Sequence, residues 1–148
     1  ITLKNNKTQE VKQLNVGECV DENHQNQKAK LMKKWHAELA LDDYGSGYNS
    51  EKMLLSISPK FIKIDMDIIR NIDSNPDKCK IVENIVGYAH EREMKVIAEG
   101  IETIEELKQV IRLRVDYLQG YLFSKPQYVP PKIRDNIVKL IQVVNEEV

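Results

Sequence analysis

Four short apolar or β-branched runs alternate with segments of helical periodicity, and this alternation constrains the fold more than any other feature of the sequence. Each run is followed at once by a polar residue, and the runs cover residues 39–41, 61–64, 95–98 and 115–118. Between them, residues 79–93 carry Ile81, Ile85, Val86 and Ala89 at the spacing of one helix face. Short runs that are apolar on both faces are typical of a parallel sheet covered by helices, so the sequence predicts an α/β fold.

Polar residues of functional type lie at the carboxyl ends of these predicted strands. In a β/α barrel the catalytic groups lie at the carboxyl ends of the strands. The residues at such ends are Asp42, Asp43, Lys63, Asp65, Glu99 and Gln119. Separate turns and helix caps are the structural alternative, but they would have to produce this placement four times independently. We therefore favour a functional site, and leave out Asp65, which is predicted to cap a helix beginning near Met66.

The length of the chain allows only part of a barrel. A complete eight-stranded barrel needs about 250 residues, whereas this chain has 148 and starts with Ile1 rather than Met. Residues 35–148 supply about four strand-helix units, closed by an amphipathic helix at 133–144, and predict the carboxyl-terminal half of a (β/α)8 TIM-type barrel. Residues 1–34 form a polar segment with a weak strand pattern at 11–16 and a helical pattern at 25–35. A remnant of an earlier barrel strand and helix is one interpretation of that segment.

Half a sheet leaves open edges that a soluble protein must cover. We therefore expect self-association, as a homodimer, or binding to a complementing segment. The 22 basic and 23 acidic residues give a net charge of −1 and no general footprint for a DNA or RNA polymer. No apolar run is long enough to span a bilayer, so no membrane contact is expected from this segment. Cys19 and Cys79 lack the paired spacing of metal ligands and are predicted to be reduced thiols.

Four motifs follow one another along the chain. They read LALDDYGSGYNS at residues 39–50, IKID at 62–65, IAEGIET at 97–103 and YLQGYLF at 117–123, with Lys125 and Pro126 following. In order and spacing these motifs closely resemble the second half of an EAL domain. The resemblance covers about residues 35–128. It implies a β/α barrel that hydrolyses the bacterial messenger cyclic di-GMP to the linear dinucleotide with two Mg²⁺ or Mn²⁺ ions. It also implies a cytoplasmic location, with a larger membrane-anchored protein as one possible context.

The resemblance assigns a role to each matched residue. Asp42 and Asp43 match the acidic pair that ligates the metals, and carboxylate oxygens are the ligands that hard divalent cations prefer. Lys63 matches the active-site lysine, which orients water or neutralises phosphate. Glu99 matches a carboxylate at the metal site, and Gln119 matches a glutamine that holds the water or the metal shell.

A loop after the acidic pair couples dimerisation to metal binding in the family. The residues that the resemblance assigns to this loop and its support are Tyr44, Gly45, Ser46, Gly47 and Glu102. Two glycines permit unusual backbone angles there. Glu102 is expected to support the loop rather than bind metal.

Departures from the family pattern bear on activity. No Glu-Ala-Leu precedes the Asp pair, and an asparagine ligand of the next strand is not identifiable. Where the family has a glutamate on the strand before the pair, this chain has Gln13, with Glu18 as the only nearby acid, so metal affinity should fall sharply. His36 and Arg114 stand where the family usually has glycine just after a helix. That position favours left-handed backbone geometry, which residues other than glycine adopt at a cost of about 1 kcal/mol. Neither His36 nor Trp35 is predicted to take part in the site.

Three functional interpretations remain open. The intact parent is expected to be a cyclic di-GMP phosphodiesterase, with this chain inactive or nearly so by itself. A degenerate, non-catalytic module that senses a nucleotide or binds a protein is the main alternative. An unrelated phosphate-binding half barrel is the third, and the four motifs argue against it. Whether the chain is an enzyme therefore stays undecided by its sequence, and the identity of the substrate rests on the resemblance alone.

Overall fold

A computed structural model describes residues 2–4, 11–13, 38–46, 54, 58–129 and 131–148 of the chain. Some sequence predictions fall outside these residues, namely those for Gly47, Glu18, Cys19, Trp35, His36 and the helix at 25–35. Among the described helices, none has the length and apolar character needed to cross a membrane.

Six strands form one sheet in the described part of the chain. They are β1 Thr2–Lys4, β2 Val11–Gln13, β3 Glu38–Tyr44, β4 Phe61–Ile64, β5 Lys95–Ala98 and β6 Tyr117–Leu118. Their order is β2-β1-β3-β4-β5-β6. Neighbours from β3 to β6 pair in parallel, whereas β1 pairs antiparallel with both β2 and β3. The parallel sheet predicted from the four apolar runs is thereby confirmed.

The amino-terminal strands differ from the sequence prediction. We expected one strand at residues 11–16 and none at 2–4, but β2 ends at Gln13 and β1 lies between it and β3. Thr2 of β1 is opposite both Gln13 and Ala40. The family resemblance implied that Gln13 lies on the strand adjacent to the Asp pair. In the structure β1 occupies that place, so this expectation is wrong. A three-residue strand is too short to show a period-2 pattern, which is why β1 was missed.

Four α-helices are described: α1 Met66–Ile69, α2 Pro76–His90, α3 Ile104–Arg112 and α4 Asp135–Glu146. A 3-10 helix, Ile72–Ser74, lies between α1 and α2. The start of α2 is set by Asn75, whose side chain accepts hydrogen bonds from the N–H groups of Asp77 and Lys78, and by a proline in the first turn. These signals place the start three residues before the predicted segment 79–93.

The helices bury one face of the sheet. α2 contributes Val82, Ile85, Val86 and Ala89, which follow the i, i+3, i+4, i+7 spacing of a helix stripe. Ile81, which we assigned to this stripe, is 45% exposed, so that assignment is wrong. In α4 the predicted residues Ile137 and Val144 are buried, whereas Ile133 lies before the helix and is exposed.

The other face of the sheet is partly open. On β4, Ile62 and Ile64 are buried beneath the helices, while Phe61 and Lys63 point to the opposite side and are half-buried. The apolar residues of this second face are Ala40, Phe61, Ile97 and Tyr117, and we call them the open face. The Phe61 and Tyr117 rings lie 6.0 Å apart across it.

Three helices are followed by a non-glycine residue in the left-handed region, and the one after α1 is Asn71, with φ 56°. Arg114, with φ 60°, follows α3, where its N–H donates to the Ile111 carbonyl at 2.8 Å and the N–H of Val115 donates to Val110 at 3.1 Å. This pair of bonds is a Schellman motif, and it confirms the sequence prediction of left-handed geometry at Arg114. Glu93, with φ 57°, has the same geometry after α2 and was not foreseen.

Arg114→Gly should therefore raise the free energy of unfolding by about 1 kcal/mol, because glycine adopts φ 60° without strain. The substitution also removes the hydrogen bond from the Arg114 guanidinium to the Val148 carbonyl at 3.3 Å. That bond is exposed and contributes little to stability. Arg112→Gly, inside the last turn of α3, is the matched control and should lower stability by up to about 1 kcal/mol. Urea unfolding of both variants checks this, and a destabilised Arg114→Gly would contradict it.

Candidate metal centre

Three adjacent strands deliver charged side chains to one edge of the sheet. Asp42 and Asp43 lie near the end of β3, Lys63 lies near the end of β4, and Glu99 directly follows β5. Because these strands run in parallel, their carboxyl ends meet at the same edge. The pattern read in the sequence is therefore a spatial cluster.

A β-bulge brings both aspartates to this edge. Successive residues of a regular strand point to opposite faces, but the pairing of β3 with β4 shifts between Leu41 and Tyr44, so that Asp42 and Asp43 together oppose Lys63. Asp43 has φ 54°, a left-handed angle that aspartate tolerates better than most residues. The irregular backbone explains how two consecutive carboxylates join one cluster.

The Lys63 ammonium bridges two carboxylates. Its Nζ lies 2.5 Å from Asp42 Oδ1 and 2.5 Å from Glu99 Oε1. Burial by itself would lower the pKa of Lys63, but the hydrogen bonds and negative charge of the two carboxylates outweigh it and raise the pKa above its usual value. Lys63 is therefore a fixed positive charge at neutral pH.

The carboxylates fit a divalent cation. Asp42, Asp43 and Glu99 each present one oxygen, and the three oxygens lie within 4.8 Å of one another. Glu99 Oε1 is shielded from solvent and, apart from the ion pair with Lys63, has no hydrogen-bond partner among the described residues. Hard cations such as Mg²⁺ and Mn²⁺ prefer this type of ligand. Three carboxylates and one ammonium leave a net charge of −2, which matches one dication.

Two glycines allow the loops around the cluster to approach closely. Gly100, directly after Glu99, has φ 74°, and a Cβ there would lie 2.4 Å from Met66 Cβ. At Gly120, directly after Gln119, a Cβ would lie 2.0 Å from the carbonyl oxygen of Ile101. The glycines of both motifs therefore serve loop packing that fixes the positions of Glu99 and Gln119.

A cavity of about 290 Å³ opens beside the cluster. It is lined by Asp43, Asp65, Met66, Glu99, Gly100, Glu102, Gln119, Gly120 and Tyr121. The structure thus brings Gln119 to the same cavity as Asp43 and Glu99, in agreement with the sequence grouping. Tyr121, 58% exposed, was not singled out, although it directly follows the Gln119 motif.

The structure also gives the hydrogen-bond partners of Asp65, Glu102 and Ser46. Asp65 caps α1, as predicted, by accepting the N–H of Asp67 at 2.8 Å, but it also lines the cavity. Glu102 forms a two-pronged ion pair with Arg70, at 2.7 and 2.9 Å, so its side-chain partner among the described residues lies at the carboxyl end of α1. The N–H and hydroxyl of Ser46 donate to the Asp43 carbonyl at 3.2 and 2.9 Å.

Tyr44 and Gly45, the first two residues of that loop, have structural roles. Tyr44 is buried, and its carbonyl accepts the N–H of Asp65 at 3.0 Å. Gly45 has φ 102°, and a Cβ there would meet the side chain of Ile68. Both contacts tie the loop after Asp43 to the start of α1.

Gly100→Ala should disturb the cluster, because alanine is strained at φ 74° and its Cβ would displace Met66. We expect a loss of about 1–3 kcal/mol in the free energy of unfolding and weaker Mn²⁺ binding by calorimetry. Gly87→Ala is the control, since Gly87 lies in α2 with nothing near its Cβ position. That change should stabilise the protein by about 1 kcal/mol and leave Mn²⁺ binding unaltered. Equal stability of the two variants would contradict the assignment.

Comparison with known proteins places the chain in one family. The family model described as the EAL domain matches residues 8–126. Cyclic di-GMP phosphodiesterase PdeF of Escherichia coli is 42% identical over 90 residues, which are 61% of this chain and 12% of the relative. Cyclic di-GMP phosphodiesterase PdeL of the same organism is 39% identical over 87 residues, which are 59% of this chain and 24% of the relative.

Solved structures show the same architecture. A standalone EAL protein from Vibrio cholerae O395, in its c-di-GMP-bound form, superposes with a TM-score of 0.73 and 28% identity over 80% of this chain and 51% of that chain. The manganese and cy-diGMP complex of Klebsiella pneumoniae BlrP1 superposes with a TM-score of 0.67 and 31% identity over 72% of this chain and 27% of that chain. The chain therefore spans about half, or less, of each of these four proteins.

Proposed function

Because this chain belongs to the EAL domain family, we propose that it is the carboxyl-terminal half of a metal-dependent cyclic di-GMP phosphodiesterase domain. The observation that carries the proposal is the cluster of Asp42, Asp43 and Glu99 around the Lys63 ammonium. The relatives are named as phosphodiesterases of this nucleotide, and two similar structures hold it. A cytoplasmic location, where such a nucleotide would be available, belongs to the same proposal.

Each residue would have a distinct part in hydrolysis. Asp42, Asp43 and Glu99 would hold Mg²⁺ or Mn²⁺, which when bound supplies Lewis acidity and an activated water. Lys63, charged at neutral pH, would stabilise negative charge on the phosphodiester as it develops. Gln119, on the cavity wall beside Glu99, would orient water or phosphate oxygen through its amide.

The charge of the cluster limits how many ions it holds alone. A net charge of −2 balances one dication, so a second ion would need ligands from beyond these four residues. The sequence contains no Glu-Ala-Leu motif, and the described strands β1 and β2 contain no glutamate. We therefore propose that this chain by itself hydrolyses cyclic di-GMP poorly or not at all.

The same incompleteness supports a partner. Phe61 and Lys63 alternate with the buried residues of β4, so the apolar open face and the charged cluster lie on the same side of the sheet. A segment supplying the other half of a barrel would cover both at once. We propose such a complementing segment as the partner, and a homodimer as the second possibility.

A degenerate, non-catalytic module is the alternative function. The specific observation in its favour is the missing ligand set, because a site with one ion and a bridging lysine can bind a phosphodiester without cleaving it. Such a module would act as a nucleotide sensor or a protein-interaction domain.

Binding and turnover separate these functions. Calorimetry of the chain with Mn²⁺ should show binding that Asp43→Asn weakens at least about tenfold, since one of three carboxylates is lost. Asp77→Asn, in the first turn of α2 and outside the cluster, is the control and should bind as the unaltered chain does. Cyclic di-GMP is then added and the products are resolved by chromatography.

Each result has one reading. Turnover that appears only when an amino-terminal EAL half is supplied supports the phosphodiesterase proposal. Nucleotide binding without turnover under both conditions supports the sensor. Robust hydrolysis by the isolated chain would contradict the predicted inactivity, and equal Mn²⁺ affinity of both variants would remove the metal centre.

The open face should drive association of the isolated chain. We expect its sedimentation coefficient to rise with concentration, because apolar surface left in water favours pairing. Phe61→Glu, on the open face, should weaken this association, whereas Ile81→Glu, on the exposed side of α2, should not. A monomer at all concentrations, or equal effects of the two changes, would count against an exposed barrel interior.

A further inference from the structure

Glu106 is the one buried charged side chain among the described residues, with 1% exposure. Its Oε1 accepts the N–H of Asn71 at 2.9 Å, and its Oε2 accepts the N–H groups of Glu102 and Thr103 at 2.9 and 3.1 Å. Burial would raise the pKa of Glu106, but these three backbone donors, with help from the charge of Arg70, lower it below its usual value. The carboxylate is therefore ionised and satisfied inside the protein.

Helix capping explains only part of this arrangement. The N–H of Glu106 donates to Thr103 Oγ1 at 3.1 Å while Glu106 Oε2 accepts the Thr103 N–H, which is a capping box at the start of α3. A capping box does not involve Asn71, which lies 35 residues earlier in the chain. One carboxylate oxygen is thus used for a long-range contact.

The contact joins two connections that leave the sheet next to the cluster. Asn71, with φ 56°, ends the turn after α1 and so belongs to the connection that follows Lys63. Glu102 lies three residues after Glu99, in the connection that follows β5. The exposed Arg70–Glu102 ion pair joins the same connections from outside.

We propose that Glu106 is a positioning residue for the carboxylate cluster, because its side chain holds the connection after Lys63 to the connection after Glu99. This inference rests on the proposed metal-binding function, which it extends to a residue that does not touch the cluster. Backbone pairing already places Glu99 beside β4, since its N–H donates to the Ile64 carbonyl at 3.2 Å. The buried bond of Glu106 would hold the two connections together beyond that point, and so steady the 2.5 Å contact between Lys63 and Glu99.

Glu106→Gln tests the role with almost no change in shape. Gln has one acceptor oxygen, so if that oxygen keeps the bonds to Glu102 and Thr103, its NH₂ group faces the N–H of Asn71, donor against donor. The cap is then kept and the link is lost. We expect Mn²⁺ affinity, measured by calorimetry, to fall about tenfold or more, as for other residues that orient metal ligands indirectly.

Thr103→Ala is the matched control, because it weakens the same helix cap but leaves all three bonds accepted by Glu106. Its Mn²⁺ affinity should stay within about twofold of the unaltered chain when both are fully folded. Equal losses of affinity in the two variants, or no loss in Glu106→Gln, would overturn the proposal. If Glu106→Gln does not fold, Glu106→Asp replaces it, since the shorter acid reaches Thr103 but not Asn71.

Hydrogen exchange of the metal-free chain separates this inference from the proposed function. Glu106→Gln should speed exchange about tenfold at Asn71 and in residues 99–102. The N–H of Asn71 would lose its acceptor, and an unpaired buried donor destabilises the contact between the two connections. Thr103→Ala should speed exchange only in the first turn of α3. If the unaltered chain binds no Mn²⁺, the proposed function is wrong. Hydrogen exchange alone then tests whether Glu106 holds the two connections together. Faster exchange confined to α3 in Glu106→Gln would overturn the positioning role.

Discussion

The ammonium of Lys63 is the interaction on which the arrangement of the site depends. Three carboxylates whose oxygens lie within 4.8 Å repel one another, and this repulsion opposes the close packing of β3, β4 and β5 at their carboxyl ends. Lys63 offsets it by lying 2.5 Å from both Asp42 and Glu99. The same contacts mean that an entering cation must share two of its ligands with a fixed positive charge, so the lysine sets both the stability of the metal-free cluster and its affinity.

Local irregularities of the backbone, rather than the regular strands and helices, set the distances between these charges. The bulge at Asp42 and Asp43 turns two consecutive residues toward one edge. Gly100 and Gly120 let the following connections pack where any Cβ would collide. Glu106 then joins two of the connections from inside the protein. The regular sheet provides the common edge, and these local features provide the distances within the site.

Much of this could be predicted from the sequence, because strand-helix alternation and polar residues at strand ends are local patterns. The parallel strands β3 to β6 and the cap at Asp65 are local in this sense. The left-handed geometry of Arg114 was expected from the family resemblance instead. Long-range contacts could not be foreseen. The Arg70 partner of Glu102 and the Asn71 partner of Glu106 are separated from them by 32 and 35 residues. Ile81 was misassigned because Ile81 and Val82 fit overlapping helical stripes, and only packing selects between them.

The open face and the charge of the cluster lead to the same conclusion from independent physics. Half-buried Phe61 and exposed Tyr117 on one side of the sheet indicate an interior that the described strands do not close. The net charge of −2 on the cluster balances one dication. Both deficits lie on the same side of β4, since Phe61 and Lys63 alternate with its buried residues. A single additional half of a barrel would correct both, because its strands would bury the apolar face and bring further ligands to the same edge.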